Sequence, residues 1–141
     1  MRFIRTKLAC SVICSAVCLF LSLSLSAQSS PKAVFEVETL DSGPFSISSP
    51  DYDFVFKYRN EGDSAFVISN VIPTCSCITV SFSSEPLMPG DSTSFVARYH
   101  ARHVGSFRQM LTVVNNSPRP LMRLRLVGVV TEPISSDDKN D

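Results

Sequence analysis

The chain has 141 residues, and with a leader of about 27 set aside roughly 114 remain, room for one domain with a single core. Thirteen Lys and Arg balance thirteen Asp and Glu; without Arg2, Arg5 and Lys7 ten cations face thirteen carboxylates, a net charge of −3. This mild acidity excludes nucleic acid and anionic lipid as main partners, because both require clustered cations.

The N-terminus places Arg2, Arg5 and Lys7 before an apolar run from Leu8 to Leu25, with Ser24, Ser26 and Ala27 ahead of polar Gln28. Basic residues, an apolar stretch and small residues, in that order, make a secretory signal. Residues 1–27 are expected to be that signal peptide, cleaved after Ala27 or, alternatively, after Ser26. The other reading is a leader kept as a membrane anchor, since its 18-residue apolar run approaches the length that spans a bilayer. Cys10, Cys14 and Cys18 lie inside the run rather than after it, which disfavours a lipid-modified cysteine. The expected location is therefore outside the cytoplasm: the periplasm, the cell surface or the medium.

Beyond the leader, nine Pro against five Gly and no Trp suit strands punctuated by turns. Residues 28–32 form a short polar lead. Residues 33–39 read as the first strand, turned by Asp41-Ser42-Gly43-Pro44. Residues 51–59 alternate, with Phe54, Phe56 and Tyr58 on one face and Asp53, Lys57 and Arg59 on the other. Asn60-Glu61-Gly62-Asp63 is a turn, with Gly62 able to take a positive φ. Residues 65–72 make a third strand, stopped by Pro73, and residues 78–82 a fourth after the cysteines. Pro86 to Asp91 turn the chain into a strand in which Phe95, Ala97 and Tyr99 face inward. Residues 107–114 and 121–130 are the last two strands, joined by a turn at 115–120, with Met122, Leu124 and Leu126 inward and Arg123 and Arg125 outward. Residues 131–141 read as a disordered acidic tail. About seven strands without a helix between them imply an all-β, antiparallel, immunoglobulin-like β-sandwich over residues 33–130.

Several stretches carry a family resemblance: residues 54–62 ending in Asn60-Glu61-Gly62, residues 71–77 ending in Cys75-Ser76-Cys77, residues 86–91 with Pro89-Gly90-Asp91, Gly105-Ser106-Phe107, and residues 124–129 around Gly128. They resemble the bacterial family called domain of unknown function 1573, and the match covers nearly all of residues 33–130. The resemblance implies an exported protein of Bacteroidota type with a Hydin-type immunoglobulin-like fold, distantly similar to major-sperm-protein and pilus-chaperone sandwiches. It implies no activity. The family pattern has Cys-Gly-Cys where this chain has Ser76, and Ser resists the positive φ that Gly accepts.

Cys75 and Cys77 are the only cysteines after the leader, and they form the candidate disulfide or redox pair. In an extended strand their Cα atoms would stand about 6.6 Å apart, near the limit for a bridge, and a bend after Pro73 would bring them closer. Closing so short a loop stabilises the fold by only about 1.6 kcal/mol on the chain-entropy formula, so the core must hold the domain. His100 and His103 complete a Cys₂His₂ set in number, yet neither spacing matches the usual zinc patterns. No metal and no cofactor is expected. No Gly-x-Ser-x-Gly elbow or phosphate loop is present, and carboxylates such as Asp51, Asp53, Glu61 and Asp91 fall in turns or on exposed faces. No catalytic residue is therefore assigned, and the chain does not read as an enzyme. Arg98, Arg108, Arg123 and Arg125 fall on outward positions of the last three strands and make a candidate binding face for a carboxylate-rich protein partner in the cell envelope. The expected function is a non-enzymatic structural or interaction module; the alternative is a thiol-redox or metal-handling accessory protein that uses Cys75 and Cys77.

Overall fold

The computed structural model describes residues 29–133. The expected signal peptide and most of the expected tail lie outside the described residues. Among the described residues eight strands account for the regular structure: β1 (Ala33–Phe35), β2 (Thr39–Ser46), β3 (Asp51–Asn60), β4 (Ile68–Pro73), β5 (Ile78–Ser81), β6 (Ser92–His100), β7 (Gly105–Asn115) and β8 (Leu121–Thr131). They form two four-stranded sheets, β1-β3-β6-β5 and β2-β8-β7-β4. The chain crosses from one layer to the other at most connections, as a sandwich requires.

Alternation decides which side chains enter the core. Phe54, Phe56 and Tyr58 of β3, Phe95, Ala97 and Tyr99 of β6, and Leu124 and Leu126 of β8 are all buried, matching the inward positions read from the sequence. They meet Ile68 of β4, Leu111 and Val113 of β7 and Phe66, which bridges to Leu87 ahead of β4, in one continuous core. Phe56 stacks on Phe95 with ring centroids 5.3 Å apart, and Phe35 meets Phe95 edge-on at 6.3 Å. Each ring of this size contributes about 2–3 kcal/mol through burial alone.

The structure corrects three expectations. Asp41-Ser42-Gly43-Pro44 does not reverse the chain; it is a bulge inside β2, where the pairing with β8 shifts register between Asp41 and Pro44. Gly43 adopts φ 65° and donates its N–H to Asp41 Oδ1 at 2.8 Å, so the turn-forming residues bend a strand without ending it. The count accordingly rises to eight, with the first expected strand divided between β1 in one sheet and β2 in the other. The second correction concerns direction. β2 and β8 pair parallel, from Thr39 beside Arg125 to Ser46 beside Thr131, whereas every other pairing is antiparallel. The need for a long connection between parallel strands is met here by nearly the whole domain. The third concerns Gly62, which is absent from the positive-φ glycines. A Cβ there would run into the backbone of Ser30, Pro31 and Lys32, so the residue permits close packing of the polar lead against the 60–63 turn.

That lead is held in place by Asn60, which is fully buried. Its Oδ1 accepts the N–H groups of Gly62 at 3.0 Å and Lys32 at 3.3 Å, and its Nδ2 donates to the carbonyls of Ser64 and Leu87 at 2.8 and 2.9 Å. One side chain thus ties three separate loops together with no polar atom unmatched.

Candidate functional site

The segment between β4 and β5 crosses from one sheet to the other and carries the cysteines. Thr74 fixes its first end: its N–H donates to the Met110 carbonyl at 3.0 Å, and its Oγ1 accepts the Met110 N–H at 3.1 Å. At the other end the Cys77 carbonyl accepts the His100 N–H at 2.8 Å. Between these anchors the backbone turns, with the Ile78 N–H donating to the Cys75 carbonyl at 3.3 Å. The bend brings the Cα atoms to 5.1 Å, and Cys75 and Cys77 are joined by a disulfide. Cys77 packs into the core at 8% exposure, while Cys75 lies half-buried at its edge. Beside the bridge is a cleft of about 240 Å³ whose walls include Tyr99, Arg102, His103, Phe107 and Gln109. Tyr99 and Phe107 stack within it at 4.1 Å, and burial pushes the Tyr99 hydroxyl pKa up.

His100 and His103 line the same cleft as the cysteines. The two sulfurs are bonded to each other, and both ring nitrogens of His100 are engaged, Nδ1 with Asp51 Oδ1 at 2.7 Å and Nε2 with Thr79 Oγ1 at 3.1 Å. Among the described residues no three His, Cys, Asp or Glu side chains are grouped to hold a metal ion.

The arginines divide between the layers, which corrects the expectation of one shared face. Arg98 belongs to β6 of the β1-β3-β6-β5 sheet, whereas Arg108 lies on β7 and Arg123 and Arg125 on β8 of the opposite sheet. Alternation along a strand tells inside from outside but not which sheet a strand joins. On its own face Arg98 is neutralised: it binds Asp53 through two hydrogen bonds of 2.6 and 2.8 Å. That contact, mainly its hydrogen bonding, holds the Asp53 carboxyl below its ordinary value. On the other face Arg108 stands opposite Val127, Arg125 opposite Met110 and Arg123 opposite Thr112. These three are exposed, and none forms an ion pair among the described residues. Exposed Ile72, Leu121 and Val129, at 50%, 62% and 43%, share that side. Sequence reasoning passed over these apolar neighbours because each, taken singly, is an ordinary surface residue.

Two facing sheets of four strands, with the chain crossing between layers at most connections, define an immunoglobulin-like β-sandwich. The chain belongs to the family described as "Protein of unknown function (DUF1573)", whose model matches residues 33–130. The sandwich is similar to a protein of unknown function from Porphyromonas gingivalis W83, at TM-score 0.62 and 17% identity over 75% of this chain and 50% of that one. The chain thus spans half the length of that relative. It is also similar to the ASH / PapD-like domain 7 of human CEP192, at TM-score 0.54 and 15% identity over 77% of this chain and 92% of that one. Against the VesB protease of Vibrio cholerae the TM-score is 0.54 and the identity 12%, over 72% of this chain and 31% of that one. At these identities the likeness is one of fold. No curated protein matches the sequence.

Proposed function

We propose that the chain is an exported interaction module of the cell envelope, which binds a carboxylate-bearing protein through the outer face of the β2-β8-β7-β4 sheet. The contrast between the two outer faces supports this reading. Arg98 meets its counter-ion within the domain, whereas Arg108, Arg123 and Arg125 project among exposed apolar side chains with no intramolecular carboxylate paired to them among the described residues. Arg guanidinium groups on a rigid sheet suit bidentate recognition of carboxylates, and the apolar neighbours add area that water leaves on binding. Leader residues 1–27 support export by their charge and apolar order.

The test compares the exported protein with an Arg123→Glu, Arg125→Glu double variant in cross-linking and co-purification from envelope fractions. The partner captured by the natural protein should be lost from the variant, with the thermal midpoint unchanged. Equal recovery of that partner by both proteins refutes the binding face.

A further inference from the structure

The turn holding Cys75 and Cys77 is pinned to both sheets without help from the sulfur bond. Thr74 is held by Met110 of β7, and the Cys77 carbonyl by the His100 amide of β6. The bond joins residues only two apart, so it restrains little of the unfolded chain. It borders the cleft whose walls include Arg102, His103 and Gln109, and its two sulfurs are unequal: Cys77 is buried whereas Cys75 is half-buried. The Cys77 N–H also donates to Cys75 Sγ at 3.1 Å, a contact that strengthens when negative charge develops on that sulfur.

We infer that Cys75 and Cys77 form a thiol–disulfide exchange site for dithiols of other polypeptides, with Cys75 as the sulfur that is attacked. A substrate thiolate attacks Cys75 Sγ; the Cys75–Cys77 bond breaks, a substrate–Cys75 disulfide forms, and Cys77 leaves as a thiolate that takes up a proton. The second substrate thiol, having lost its proton, attacks the substrate sulfur of this mixed disulfide. Cys75 then departs as a thiolate stabilised by the Cys77 N–H and the cationic Arg102 side of the cleft. Two electrons pass from substrate to domain, so the substrate is oxidised to a disulfide and the domain is reduced to a dithiol. The substrate's two protons end on the domain's thiols or in water.

The experiment uses the purified, oxidised full chain with one equivalent of dithiothreitol at neutral pH, free thiols being counted by alkylation and mass. The bond should open while the fold is retained. With oxidised glutathione as probe, the Cys77→Ser protein should form its mixed disulfide about tenfold faster than the Cys75→Ser protein, and adding Arg102→Ala should slow it several-fold. A Cys75→Ser, Cys77→Ser protein should keep its thermal midpoint within a few degrees. A natural bond that stays closed in dithiothreitol overturns the proposal, as do equal rates for the two single variants. Loss of the fold in the double variant also overturns it, by making the pair a staple.

Discussion

Asn60 shows how much one polar side chain carries in this fold. It is fully buried, accepts two amide N–H groups and donates to two carbonyls from three loops. Removing it leaves those groups buried without partners, which costs more than the bonds themselves. Asn60→Ala should therefore lose about 2–4 kcal/mol of stability in urea unfolding. Asn60→Asp keeps the acceptor oxygen but turns the two donations into repulsion between carboxylate and carbonyls, so it should be destabilised as well, and least at acid pH. From the sequence, Asn60-Glu61-Gly62 was legible as a turn. The hub was not, because its partners Lys32 and Leu87 lie 28 and 27 residues away. Gly62 likewise reads locally as a residue chosen for its conformational freedom, whereas its missing Cβ is what lets Ser30 and Lys32 approach.

Among the elements, β3 and β6 pair in unbroken register from Asp51 beside His100 to Arg59 beside Ser92. On their outer face Asp53 lies opposite Arg98, and the guanidinium lowers the carboxyl pKa chiefly by hydrogen bonding. A depressed folded-state pKa contributes stability that is present above the unfolded carboxylate value and is lost as pH falls through the folded one. Carbon-detected NMR should find Asp53 titrating below the ordinary aspartate range, and Arg98→Ala should return it there. Since the pair is exposed, the change in unfolding midpoint should be small and should shrink further in salt. Alternation made β3, β6 and the inward half of β8 legible, because one face is buried and a period of two leaves no choice of side. β2 was not legible, because a bulge at an edge strand uses the same Asp, Ser, Gly and Pro that end strands elsewhere.

For the whole molecule, a core shared by both sheets should make unfolding a single cooperative event. Phe56, Phe95, Leu111 and Leu126 are all buried within one cluster drawn from both layers. Phe56→Ala should cost about 3–5 kcal/mol through lost transfer energy and the cavity left behind. Far-ultraviolet dichroism and tyrosine fluorescence, clean in a chain without Trp, should still report coincident transitions. Separate transitions for the two probes would mean that the sheets unfold independently, contrary to the shared core.

The class of fold, the inward side of the regular strands and the nearness of Cys75 to Cys77 are all legible along the chain. All three follow from local chemistry: side-chain period, turn residues and a two-residue spacing. Which layer each strand joins is set by the folded arrangement. It paired β2 parallel with β8 and placed Arg98 on one face with Asp53, while Arg108, Arg123 and Arg125 stand on the other. The choice of sheet rests on contacts between residues far apart in the chain, and alternation within a strand carries no record of them.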